Sequence, residues 1–178
     1  MYISEKKLMK TITLFQFLDQ LSLMYECHSH EAVYTVQDAN HLKDIIPGAH
    51  SKNLFLKDKK KAFYLVSVLE HKRVDLKALS KVLGKGGLSF ANDEDLLENL
   101  NVTPGSVTPF GLMHDQSLKV TFVLDRDFLN DTIVNFHPLR NDMTISIGLK
   151  EFLHFLDIIE HHPIIMDIPT MNGSSEVE

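Results

Sequence analysis

Two apolar runs, Asn53 to Lys57 and Ala62 to Leu69, flank the four charged residues Asp58-Lys59-Lys60-Lys61. Runs of this length, joined by a short charged turn, predict a β-hairpin. A hairpin cannot stand alone in water and must be covered on at least one face. The segments around it supply the cover. Leu14, Phe17, Leu18 and Leu21 fall on one face at helical spacing, with Thr13 as N-cap and Gln16 three residues on. Helices are also expected over Thr35 to Ile46, before Pro47-Gly48, and over Asp75 to Leu83, closed by Gly84. Asn92 caps a further helix, Asp93 to Leu100, whose acidic first turn suits the helix dipole. Leu149 to Ile159 reads as a closing amphipathic helix.

Short strands lie between these helices: Tyr25 to His30, Leu88 to Phe90, Lys119 to Leu124, Thr132 to Phe136 and Met143 to Ile147. The last two are separated by a turn at Pro138 to Asp142. Val102 to Leu112 is expected as a loop punctuated by Pro and Gly. Strands interleaved with helices, and hairpins among them, predict an α/β (α+β) domain with helices packed on a mixed sheet. A chain of 178 residues suits one domain, expected over residues 1–170. The acidic tail, residues 171–178, is expected to be disordered.

Composition narrows the functional classes. Apolar residues make up 44% and charged residues 24%, the balance of a globular protein. No run approaches a membrane span, and the start, MYISEKKLMK, does not read as a signal peptide. One cysteine, Cys27, excludes an internal disulfide framework, and a cytoplasmic location is expected. The net charge of −6 argues against a protein that coats DNA or RNA. It leaves room for one that grips only the end of an RNA.

Three places carry candidate chemistry. In Gly105-Ser106-Val107-Thr108-Pro109, Gly105 is free to adopt positive φ, and Pro109 restricts both itself and Thr108. Such a loop can aim backbone N–H groups at an oxyanion, although an ordinary turn uses the same residues. Lys52 is either a solvated lysine or a cation facing a phosphate or carbonyl, with Asn53 beside it as donor and acceptor. His137, followed by Pro138, is either a general base or a packed ring that offers its main chain. His28 and His30 would share one face of a strand, but no third ligand stands at metal-site spacing. A basic cluster, Lys57 with Lys59 to Lys61 and then His71-Lys72-Arg73, would suit a tRNA acceptor end or be a solvated turn.

Taken together, Lys52-Asn53-Leu54-Phe55-Leu56-Lys57-Asp58-Lys59-Lys60, Val74 to Lys77, Leu88 to Ala91, Pro104 to Leu112, and Phe136 to Leu139 with Asn141 and Thr144 resemble the YbaK-like aminoacyl-tRNA deacylases. That family includes the editing domain of bacterial prolyl-tRNA synthetase and the free-standing ProX (PrdX) branch, to which this chain is most similar. The resemblance runs from about Thr13 to His162. It implies a central mixed, partly barrel-like sheet surrounded by helices. It also implies metal-free, cofactor-free hydrolysis of the ester on a mischarged tRNA(Pro), with alanyl-tRNA(Pro) foremost and cysteinyl-tRNA(Pro) or a non-catalytic RNA-binding role as alternatives. The resemblance makes Lys52, Gly105 and His137 catalytic. It places Asn53, Ser106, Val107, Thr108, Pro109, Pro138, Asn141, Met143 and Thr144 around the substrate. The implied partners are the CCA end of the tRNA, and prolyl-tRNA synthetase or an elongation factor. Asp142-Met143 departs from the family pattern, which makes Met143 a candidate for setting pocket size.

Overall fold

The structure, a computed structural model, describes residues 13–32, 42 and 44–171. Its strands are β1 (Tyr25–Ser29), β2 (Ala49–Asp58), β3 (Phe63–Leu69), β4 (Leu88–Phe90), β5 (Val120–Asp125), β6 (Ile133–Phe136), β7 (Met143–Gly148) and β8 (Ile164–Met166). The α-helices are α1 (Leu14–Gln20), α2 (Leu76–Val82), α3 (Asp93–Leu100) and α4 (Leu149–Ile158). Short 3-10 helices cover Pro109–His114 and Arg126–Asn130. The strands form one mixed sheet of eight in the order β1-β7-β6-β2-β3-β5-β8, with β4 also paired to β2. This is the expected α/β class with helices flanking a mixed sheet.

The hairpin forms because the chain can turn at Asp58. Its carboxylate accepts from the N–H groups of Lys60 and Ala62, and Lys61 takes a positive φ of 61°. β2 and β3 then pair antiparallel from Ser51↔Leu69 to Lys57↔Phe63. The caps read from the sequence are present. Thr13 with Gln16, and Asn92 with Asp95, form capping boxes, and Asp75 accepts from Ala78 N–H.

Alternation along β2 divides two cores. Phe55 and Ala49 join the larger one, with α1, α3 and α4, where Phe110, Phe122, Phe128, Phe136, Phe152 and Phe155 are fully buried. Leu56 joins the smaller one with Tyr64, Val66, Val68, Val123 and Leu79 of α2. Toward β6 and β7 this second face turns polar, since His50, Asn135, Ser146, Thr144 and His28 are cross-strand neighbours on it.

Three expectations change. The loop over Val102 to Leu112 ends in a 3-10 helix, because Thr108 caps Phe110 N–H and Pro109 suits a first helical position. Leu149–Ile158 is not the closing element. β8 follows it and pairs in parallel with β5. Three apolar residues after Pro163 are too short for a periodicity to register. The helix expected over Thr35 to Ile46 falls mostly outside the described residues. Of that stretch, Leu42 and Ile46 are buried together. The tail beyond Met171 also lies outside the described residues.

Gly48 sets where β2 starts. Its φ is +101°, and an added Cβ would stand 2.8 Å from the Ile133 carbonyl oxygen. Only glycine allows β2 to approach β6 this closely. Gly48→Ala should therefore lower unfolding stability by more than about 1 kcal/mol. Urea denaturation checks this, and an unchanged midpoint would contradict it.

Candidate functional site

The second edge of β2 is shared. β6 pairs with it in parallel at Ala49 and His50, and β4 pairs with it from Leu56 to Asp58. Among the described residues, no strand pairs that edge from Ser51 to Leu54; Phe55 O is met by Ala91 N–H. Side chains span the interval instead. Ser51 Oγ donates to Asn135 O at 2.8 Å. Asn53 Nδ2 donates to Val107 O at 3.1 Å, and Asn53 Oδ1 accepts from Ser67 Oγ at 2.6 Å. Asn53 thus ties the predicted loop to the strand gap.

The loop itself is under-bonded. Gly105 takes φ +85°, the left-handed region. Ser106 N–H donates to Thr103 O, and Pro109 has no N–H. Among the described residues, the N–H groups of Gly105, Val107 and Thr108 meet no acceptor. Thr108 is fully buried, whereas Gly105 is exposed and Val107 half-exposed. Two backbone donors, at Gly105 and Val107, are therefore reachable from solvent and free to take a negative oxygen.

Lys52 lies on the opposite face of β2 from Asn53, where the apolar and polar halves of that face meet. Its Nζ donates to Lys72 O. Burial, and then the Arg73 guanidinium, hold the Lys52 ammonium below the ordinary lysine range.

His137 extends the polar face beyond β6. Its Nδ1 is 2.9 Å from Met143 O. A carbonyl only accepts, so Nδ1 carries the proton and Nε2 carries the lone pair. Burial is the main cause that lowers its basicity, with His30 adding to it, so the ring is neutral at pH 7. The His30 ring centroid is 6.3 Å away. His30 bonds Thr144 Oγ1 at 2.9 Å, and His28 bonds Ser146 Oγ at 3.1 Å. Ser146 in turn donates to Asn135 Oδ1, and Asn135 Nδ2 donates to Pro47 O. The HxH pair is thus spent on hydroxyls. Among the described residues, no three His, Cys, Asp or Glu side chains gather in metal-holding geometry. Partial burial raises the Cys27 thiol, the reverse of an activated thiolate.

The structure therefore brings Asn53 and Val107 together, and separately His137, Thr144 and the Met143 main chain. Lys52 shares the second group's face. Met143 meets His137 through its carbonyl. Pro138 is buried, and Asn141 is half-buried on the same β6–β7 turn. The basic cluster does not act as one, since Lys57 pairs with Asp95 at 2.5 Å and Lys72 with Asp125 and Asp127. A cavity of about 220 Å³ lined by Glu98, Asn99, His114 and Lys119 includes none of the predicted residues. Ser67 and Asn135 were not singled out from the sequence. The available signal was one polar residue inside each of two apolar strands, FYLVSVL and IVNF.

A family model for the aminoacyl-tRNA editing domain matches residues 30–155. The chain belongs to the aminoacyl-tRNA editing domain family. It is 42% identical over 158 residues to the prolyl-tRNA synthetase associated domain-containing protein 1 of Xenopus laevis, covering 86% of this chain and 94% of that protein. It is 33% identical over 135 residues to the prolyl-tRNA editing protein ProX of Acetoanaerobium sticklandii, covering 75% and 82%. A solved structure described as a candidate trans-editing enzyme for prolyl tRNA synthetase shares the fold, with a TM-score of 0.65 at 22% identity over 83% of this chain and 87% of that one. Among the described residues, no helix is long and apolar enough to cross a membrane.

Burial, the largest cause in each case, lowers the basicity of His114, His137 and His161. The unfolded chain takes up protons from about pH 6.5 downward, and the fold resists the same uptake. The stability these rings contribute is present above that pH and lost as pH falls through their lower folded values. The urea midpoint should drop between pH 7.5 and pH 5.5. A midpoint that rises as the solution is acidified would contradict this placement.

Proposed function

We propose that this protein is a trans-editing deacylase that hydrolyses the ester of mischarged tRNA(Pro), with alanyl-tRNA(Pro) as its substrate. The observation that carries the proposal is the pair of solvent-reachable N–H donors at Gly105 and Val107, on a loop anchored to β2 by Asn53. Membership of the editing-domain family supports the reaction class. The names of the Xenopus relative and of ProX support the prolyl system.

In this reading, the Gly105 and Val107 N–H groups take the ester carbonyl oxygen. They stabilise the negative charge that develops when water adds to the carbonyl carbon. Lys52 positions the terminal nucleotide by charge. His137 presents its Nε2 lone pair and accepts a hydrogen bond from the terminal ribose hydroxyl or from the water. The C–O bond to the ribose then breaks, the ribose oxygen takes a proton, and free amino acid and uncharged tRNA leave. Ser106, Thr108 and Pro109 shape the loop, and Pro138, Asn141, Met143 and Thr144 support the His137 side. No step calls for a metal or cofactor.

A grip confined to a CCA end needs few phosphate contacts, so the net charge of −6 is compatible with it. A small pocket separates alanine from glycine or serine poorly, because one methylene is worth only about 1–3 kcal/mol. Selectivity for tRNA(Pro) then rests on the acceptor stem or on a protein partner such as prolyl-tRNA synthetase or an elongation factor.

The test is single-turnover hydrolysis of alanyl-, cysteinyl- and prolyl-tRNA(Pro). Alanyl-tRNA(Pro) should be cleared fastest and prolyl-tRNA(Pro) spared. Lys52→Ala should slow alanyl release at least about tenfold, the loss of one charged hydrogen bond. Faster clearance of cysteinyl-tRNA(Pro) would change the substrate assignment. Alanyl release no faster than without protein would end the proposal.

A further inference from the structure

The cavity that shares no residue with the strand gap lies where the last turn of α3 meets the turn after the 3-10 helix Pro109–His114. Its volume of about 220 Å³ is below the roughly 300–1,000 Å³ of ordinary small-molecule sites, so a fitting occupant is small. Its lining is polar, and most of that polarity is unspent. Glu98 and Lys119 both line it and both are exposed. Neither makes an ion pair among the described residues, with each other or with a third group.

The α3 side of the cavity suits a cation. That helix carries three acidic residues in its first turn and no basic residue in its last, where Glu98 stands. The helix dipole disfavours a carboxylate at that end and favours a positive charge beside it. Asn99 is buried next to Glu98 and gives one amide N–H to Asp95 O at 2.8 Å. Its Oδ1 meets no donor among the described residues and is left as an acceptor.

The other side suits an anion. Asp115 holds the turn, because its carboxylate accepts from Lys119 and Val120 N–H and its carbonyl accepts from Leu118 N–H. Gln116 and Ser117, between those anchors, have N–H groups that meet no acceptor among the described residues. Two consecutive backbone donors with the Lys119 ammonium make a seat for a carboxylate. His114 belongs to the same lining, and its Nε2 is buried without a hydrogen-bond partner among the described residues. A buried polar atom left unpaired costs free energy that a bound polar molecule can return.

We propose that this cavity binds a free α-amino acid with a small side chain. Its carboxylate sits on Lys119 and the Gln116 and Ser117 N–H groups, and its ammonium on Glu98 and Asn99 Oδ1. A zwitterion answers both sides at once, whereas a simple anion or a simple cation answers one. This binding function stands apart from the deacylase reading and holds whether or not tRNA is hydrolysed.

The experiment titrates L-alanine, acetate and methylamine into the full chain and follows amide chemical shifts. Alanine should shift the Gln116, Ser117 and Lys119 amides saturably, with a Kd on the order of 1 mM. It should bind at least about fivefold more tightly than acetate or methylamine, each of which lacks one charged contact. Glu98→Gln should weaken alanine and methylamine about threefold and leave acetate unchanged. Lys119→Gln should weaken alanine and acetate about threefold and leave methylamine unchanged. Both positions are exposed, so both variants should keep the wild-type urea midpoint. Alanine shifts that do not saturate by about 50 mM would overturn the proposal. So would acetate or methylamine binding as tightly as alanine, or alanine affinity unchanged in both variants. Saturable alanine shifts at Gly105, Val107 and His137, with the cavity amides unmoved, would overturn it in favour of the strand gap.

Discussion

Among the described residues, β2 has β3 on one side between Ser51 and Leu54 and no strand on the other. Two constraints make that gap. Gly48 brings the start of β2 against Ile133, and the Leu56 to Asp58 end is held by β4. What closes the interval is Asn53, whose amide nitrogen donates to Val107 O and Ser51 Oγ and whose oxygen accepts from Ser67 Oγ. A polar side chain this committed fixes the Gly105–Pro109 loop relative to the sheet. It also leaves the loop's own donors unspent. The candidate site thus follows from a break in strand pairing rather than from an added element.

Charge is allocated with similar economy. Lys57 and Lys72, two members of the basic run, are paired to Asp95 and to Asp125 with Asp127. Lys52 donates instead to the Lys72 main chain. The histidines divide likewise. His28 and His30 are engaged with hydroxyls, while His137 Nδ1 is fixed by Met143 O and its Nε2 meets no partner among the described residues.

The sequence made the helices legible where caps and periodicity agreed, as at Thr13 with Gln16 and at Asn92 with Asp95. The hairpin was legible from its charged turn. β8 was not, because three residues carry no period and its pairing with β5 spans some forty positions. Within the site, Lys52, Gly105 and His137 stood out only through the family resemblance, since lysine at a strand start and glycine in a turn are ordinary. Ser67 and Asn135 gave a signal in the sequence, one polar residue inside an apolar strand. That signal has meaning only once the strands are paired and the side chains face each other. The opposite facing of Lys52 and Asn53 follows from strand alternation alone.

The central claim is that substrate sits at the gap beside Ser51 to Leu54, between the Gly105–Pro109 loop and the His137 side. A non-hydrolysable amide analogue of 3′-alanyl-adenosine tests it directly by chemical-shift mapping. The account predicts shifts concentrated at Lys52, Asn53, Gly105, Val107 and His137. Shifts confined to the cavity of Glu98, Asn99, His114 and Lys119, with the gap residues unmoved, would contradict it.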